Sequence, residues 1–97
     1  MSSYIRFEWN AAKATANLRK HGISFETAQR VFGDPHHVSE LDRIVDGEQR
    51  WQTVGVVGGF TLLLVAHTWI EADGSEVVRI ISARRAAWHE KKRYEQG

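Results

Sequence analysis

Two arginines, Arg79 and Arg84, interrupt an apolar and β-branched run that includes Val77, Val78, Ile80 and Ile81. Such a run asks to be partly buried. An arginine within it keeps a permanent charge and a planar fork suited to phosphate oxygens. A second basic group lies on the segment 11–20. At 100° per residue Lys13, Asn17 and Lys20 fall within about 60° of one another, with His21 on their border. Ala11, Ala14 and Leu18 share a different face. Near the C-terminus Glu90 and Tyr94 lie on one helical face with Ala86 and Ala87. A carboxylate on a packed face needs a partner, for which Arg84 and Arg79 are the candidates. The chemistry these types permit is cationic grip on a phosphate, with titratable groups near it. Each group also has a plainer reading: a solvated helix face for the lysines, a structural ion pair for Glu90.

The elements that must carry these residues can be read locally. Residues 4–9 predict a short strand. Asn10 is a good N-cap for a helix over 11–20, and Gly22 stands where a C-cap glycine belongs. Ser24 caps a second helix with Phe25, Ala28, Val31 and Phe32 at helical spacing, ended by Gly33-Asp34-Pro35. From His36 the pattern turns to strands. A weak one covers 36–41, and 42–48 reads as an acidic turn. Better strands cover 51–57 and 60–70, joined by a two-residue Gly58-Gly59 hairpin. A turn at 72–75 leads to a strand over 77–83, and helix returns over 85–95. The predicted order is β-α-α-β-β-β-β-α. This is an α+β fold, an antiparallel sheet with helices packed on it.

The chain has 97 residues, 42% apolar and 26% charged, with no cysteine and one proline. This length and balance suit a single globular domain over 1–97 and speak against a disordered or fibrous chain. Without cysteine, disulfide scaffolds and thiol chemistry are excluded. Residues 1–7 carry no apolar signal-peptide core. The apolar stretch over 54–70 is broken by Gly55, Gly58, Gly59, Thr61, His67 and Thr68 and is too short for a bilayer. A cytoplasmic protein with no membrane partner is expected. The formal net charge of +1 conceals an asymmetry. Residues 79–97 hold six basic and two acidic side chains, a net of +4, against −3 for the remainder.

The blocks Phe7-Glu8-Trp9-Asn10, Lys13, Asn17, Lys20-His21-Gly22 and Phe25 with Ala28 resemble the opening of the BrnT family, toxins of type II toxin–antitoxin modules. Phe32, Asp34, Pro35, Arg50, Gly55, Leu64-Val65 and Thr68 continue the likeness. So do the run Arg79 to Ala86 and the closing Glu90 and Tyr94. The likeness spans residues 4–95. Asn10 departs from it, standing where the family usually has Asp, and 36–50 and Trp88-His89 fall in variable regions. The resemblance implies a RelE-like ribonuclease fold with helices on one side of the sheet. It also implies a toxin that cleaves RNA and arrests translation and growth. Its partners would be RNA and a BrnA-like antitoxin with a ribbon-helix-helix DNA-binding part, operator DNA being reached only through the antitoxin. The toxin would be a monomer when free and a hetero-oligomer with its antitoxin.

Metal-independent RNA cleavage needs a base on the 2′-hydroxyl, an acid for the 5′-oxygen, and cations for the charge on the phosphorane. No carboxylate cluster has metal-site spacing, and His36-His37 is adjacent, so no metal or other cofactor is expected. Arg79 is favoured as phosphate ligand. Residues five apart on an ideal strand face opposite ways, so either Arg84 lies past the strand end or only one of the two faces RNA. Candidates for acid and base are His21, Lys20, Glu8, His67 and Tyr94. Histidine titrates nearest neutrality, which favours His21, although a histidine before a C-cap glycine also serves helix carbonyls. His67 alternates with Leu63, Val65 and Trp69, which suits the core. Lys13, Arg50, Arg84 and Arg85 are candidate phosphate contacts, with Glu90 and Tyr94 in support. Trp9, Trp51 and Trp88 could stack on bases or serve as core anchors. The competing readings are a non-catalytic nucleic-acid- or partner-binding module on the same fold, and a purely structural interaction domain.

Overall fold

The structure, a computed structural model, describes residues 4–97. Met1 to Ser3, part of the single-domain reading, lie outside the described residues. Strand β1 (Ile5–Trp9) leads into helix α1 (Ala11–His21). Asn10 accepts from the Lys13 backbone N–H at 3.0 Å, so the Asn in place of Asp still caps α1. Gly22 closes it in the left-handed region at φ 71°, its N–H bonded to the Leu18 carbonyl. Ser24 caps the short α2 (Phe25–Ala28) through the Thr27 N–H. The chain then tightens into a 3₁₀ turn over Gln29–Gly33, so the predicted second helix is α-helical for one turn only.

Four strands follow: β2 (Val38–Val45), β3 (Glu48–Val57), β4 (Thr61–Ala72) and β5 (Ser75–Arg85), with α3 (Trp88–Gln96) last. The acidic turn expected over 42–48 is confined to Asp46-Gly47. Both adopt positive φ, 49° and 77°, which is what a two-residue hairpin needs. The flanking charged residues therefore zip into β2 and β3 instead. At the next hairpin Gly58 and Gly59 both take positive φ. Phe60 belongs to that turn and is almost wholly exposed, rather than opening β4. Strand β5 runs to Arg85, and α3 starts at Trp88.

The strand order is β1-β5-β4-β3-β2. The hairpin-linked strands are antiparallel, but β1 pairs with β5 in parallel, so the sheet is mixed where an antiparallel one was expected. Nothing local in the sequence reveals this, because β1 and β5 stand at opposite ends of the chain, with every other strand between them. The residues Val57, Leu63, Val65, Val78, Ile80 and Ala83 alternate onto one face and pack with Phe25, Ala28 and Val31. Gly55 allows the 3₁₀ turn to approach that face: a Cβ there would stand 2.8 Å from Val31 Cγ1. Helix α3 ties instead to Arg84 and Glu40, on the opposite face. The helices therefore do not all lie on one side.

Candidate nucleic-acid interface

Side chains on the face opposite the core follow from the strand register. On β4 they are Leu64, Ala66, Thr68 and Ile70, and their partners on β5 are Arg84, Ser82, Arg79 and Val77. Ile81 is unpaired, a β-bulge opposite the Ala66/His67 step. The bulge shifts the alternation by one residue, so Arg79 and Arg84 share this face although they are five apart. Arg84 thus lies inside the strand rather than past its end, and both arginines face the same way.

In the parallel register Glu8 lies beside Arg79. On β3, Arg50 and Glu48 alternate onto the same face. Glu48 Oε1 accepts from Arg79 Nη2 at 2.7 Å and lies 3.2 Å from Arg50 Nε. Thr68, 4% exposed, lies in the same row on the strand between the two arginines. The Arg79 side chain is 42% exposed, open to a ligand while held from one end. Glu8 is exposed and holds no ion pair among the described residues. The structure thus brings Glu8, Arg79 and Arg50 together and adds Glu48, which sequence reasoning missed. The i, i+2 spacing of Glu48 and Arg50 on a strand was the available signal.

Arg84 is differently employed. It grips Glu90 with both ends of its fork, at 2.8 and 2.7 Å. Glu90 is 3% exposed, and its carboxylate also accepts from the Ala87 N–H at 2.7 Å, closing the first turn of α3. The Arg84 fork, outweighing the opposing effect of burial, holds the Glu90 carboxyl below its usual range, and Glu90 in turn raises the guanidinium. Tyr94 donates to Asp34 Oδ2 at 2.6 Å, which raises the phenol. Asp34 loses solvation, but Tyr94 and the backbone N–H groups of Val56 and His36 outweigh that and lower its pKa. Arg93 pairs with Glu40. These contacts fasten α3 to the sheet. Much of the C-terminal positive charge is therefore neutralised locally rather than gathered into one patch. Arg85 pairs with Leu63 and alternates to the other face, apart from Arg79.

The stripe on α1 is divided: Lys13 and Lys20 are exposed, whereas Asn17 turns into the sheet edge. Strand β1 ends opposite Ile80, leaving Ala83 without a strand partner on that side. Asn17, 6% exposed, takes the strand's place. Its Nδ2 donates to the Ala83 carbonyl at 2.9 Å and to the Ile23 carbonyl at 3.0 Å, and its Oδ1 accepts from the Ala83 N–H at 3.1 Å. Reading Asn17 as part of a polar surface is corrected: an amide offers both a donor and an acceptor, as a strand does. Above it Lys13, Lys20 and His21 line an open groove of about 290 Å³ with Ile81 and Ser82. Ser82 stands between Arg79 and Arg84 on the arginine face, so groove and arginine face adjoin there.

His67 belongs to the core. Its Nδ1 donates to the Thr68 carbonyl at 2.9 Å, which leaves Nε2 to accept from Thr53 at 2.7 Å. Thr53 Oγ1 in turn accepts from Ser39 at 2.7 Å. Burial lowers its pKa to about 4, and the ring is neutral near pH 7. Trp9 packs edge-on against Phe25 and Trp51 against Trp69, while Trp88 is 73% exposed. No group of three or more His, Asp or Glu among the described residues could hold a metal ion. No helix among them is long and apolar enough to cross a membrane.

A family model described as the ribonuclease toxin BrnT of type II toxin–antitoxin systems matches residues 9–90. Among solved structures the chain is similar to the crystal structure of the Brucella abortus ribonuclease toxin BrnT, with a TM-score of 0.58 and 17% identity. The likeness covers 88% of this chain and 99% of that one. At that identity it speaks for the fold, a five-stranded sheet with helices. No curated protein sequence is similar enough to match.

Proposed function

The chain belongs to the BrnT ribonuclease-toxin family of type II toxin–antitoxin systems, and from that premise we propose that it is a metal-independent endoribonuclease whose substrate lies across the arginine face. The observation that carries this reading is the row of Glu8, Arg79 and Arg50 on an exposed sheet face, bordered by a groove holding His21 and Lys20.

The proposed reaction uses the neighbouring 2′-hydroxyl of the RNA as nucleophile. A base removes its proton, the oxygen attacks the adjacent phosphorus, and an acid protonates the departing 5′-oxygen. Arg79, with Arg50 beside it, binds the phosphate and faces the charge that accumulates on the phosphorane. His21 is the proposed proton carrier at the edge of the face. Lys20 and Lys13 add cationic contacts in the same groove, and Glu8 is the carboxylate nearest Arg79 along the row. Arg84, Glu90 and Tyr94 hold α3 in place rather than touch substrate. The single domain acts in the cytoplasm, and a BrnA-like antitoxin with a ribbon-helix-helix part neutralises it and carries operator binding.

Incubation of the purified protein with RNA in EDTA tests this. Cleavage at discrete sites is the expected result. A salt-sensitive mobility shift without cleavage overturns the enzymatic reading in favour of a binding module. No effect on RNA at all overturns both.

A further inference from the structure

We infer that Glu48 is a positioning residue for the arginine pair, an inference that rests on the ribonuclease reading above. One oxygen of its carboxylate meets Arg79 Nη2 at 2.7 Å and stands 3.2 Å from Arg50 Nε. Two guanidinium groups on one face repel each other, and each long side chain is free to splay into water. An acceptor oxygen that reaches between them fixes Arg79 through a hydrogen bond and stands beside Arg50, so reach more than charge orders the pair. It takes hold at Nη2 of Arg79 and lies beside Nε of Arg50. Arg79 Nε and Nη1 and Arg50 Nη1 and Nη2 hold no hydrogen bond among the described residues, and are free for a phosphate.

Glu48 is itself well anchored. It is the first residue of β3, directly after the Asp46-Gly47 turn, and is paired with Val45. The hairpin fixes its backbone, and the sheet fixes the two arginines on either side of Thr68. The cost is electrostatic: one negative charge sits beside a site meant for a polyanion. A group that harms binding while ordering the cations acts on kcat rather than on KM.

Two substitutions separate reach from charge. Glu48→Asp keeps the charge and withdraws the carboxylate by one methylene. Glu48→Gln keeps the reach and an acceptor oxygen and removes the charge. Steady-state cleavage of an RNA oligonucleotide that the wild type cuts is measured for both, with Glu48→Ala beside them. We expect Glu48→Asp and Glu48→Ala to lower kcat about 10- to 100-fold, the scale of a misplaced catalytic group. KM should stay level or fall in Glu48→Ala and Glu48→Gln, which lose a charge that repels RNA. Glu48→Gln should recover most of kcat. Wild-type kcat in Glu48→Asp overturns the inference, as does a loss confined to KM or a loss that Gln does not relieve. Glu48 is partly exposed, and melting curves for each variant show that the fold is kept. If Glu48→Ala fails to fold, the Asp and Gln variants decide. A wild type that cuts no RNA brings down the ribonuclease reading and this inference with it. An active wild type with fully active Glu48→Asp brings down this inference alone.

Discussion

Arg79 and Arg84 lie five residues apart on one strand and still present their side chains on the same face, because the bulge at Ile81 resets the alternation between them. Their duties nonetheless differ. Arg79 reaches across the sheet to the partly exposed Glu48, whereas Arg84 is locked in a two-pronged grip on the buried Glu90. One arginine is held yet open, and the other is spent on attaching α3.

The two should therefore fail differently. Arg79→Ala should abolish RNA cleavage and growth arrest while leaving the unfolding midpoint almost unchanged, since a half-exposed ion pair contributes about 0–1 kcal/mol. Arg84→Ala strands a buried carboxylate. Removing one partner of a fully buried pair costs about 3–5 kcal/mol. Here the guanidinium keeps water on one side, so about 2 kcal/mol is expected. Urea unfolding and a growth assay on both variants check this. A folded, fully toxic Arg79→Ala protein contradicts the assignment.

His21 closes α1 in a groove beside Ser82. If it carries a proton in the reaction, His21→Ala should slow single-turnover cleavage by about 100-fold or more, the usual scale of general acid–base catalysis. RNA affinity should hardly change. Lys20→Ala should do the reverse, weakening binding and flattening its salt dependence. A His21→Ala enzyme with wild-type single-turnover rates would show that the histidine serves only the helix end.

Local features were legible in the sequence. Asn10, Ser24 and Gly22 cap helices because capping depends on a residue and its near neighbours. The apolar alternation of β3 to β5 was likewise readable, as was the need of Glu90 for an arginine partner. What could not be read depends on distant chain segments meeting. The parallel placement of β1, the bulge at Ile81 and the grip of Glu48 on Arg79 are of this kind. The charge sum over 79–97 misled for the same reason, since Glu40 and Glu48 lie outside that window and pair with arginines inside it.

Asn17 provides a test of how the groove is built. Its amide satisfies both backbone groups of Ala83 and the Ile23 carbonyl. Asn17→Ala leaves these buried groups unpaired and should cost about 2–4 kcal/mol. Asn17→Asp should be at least as damaging. It preserves the acceptor for the Ala83 N–H but turns an anionic oxygen towards two carbonyls. Denaturant unfolding of the three proteins at pH 7 measures both. An Asp variant more stable than the Ala variant would show that the donor half of the amide contributes little.

His67 makes stability depend on pH in a window of its own. In the folded protein it is buried and neutral, with its pKa lowered from 6.5 to about 4. In the unfolded chain it takes a proton near its ordinary value. Below that value the unfolded state therefore binds more protons, and stability falls as pH falls. The contribution is complete above pH 6.5 and lost progressively down to about pH 4. At 1.36 kcal/mol per unit, the whole span is worth about 3 kcal/mol. Glu90 and Asp34 also have lowered values, so their contribution is present at higher pH and disappears only in the carboxylate range below. The His67 portion should consequently appear first on acidification. Urea unfolding between pH 7 and pH 5 should show wild-type stability declining by about 2 kcal/mol. A His67→Gln protein keeps an amide in place of Nε2 as partner for Thr53, and it has no proton to gain. It should stay nearly flat over that range, even if its stability at pH 7 is lower. Parallel pH profiles for wild type and His67→Gln would contradict the origin assigned here.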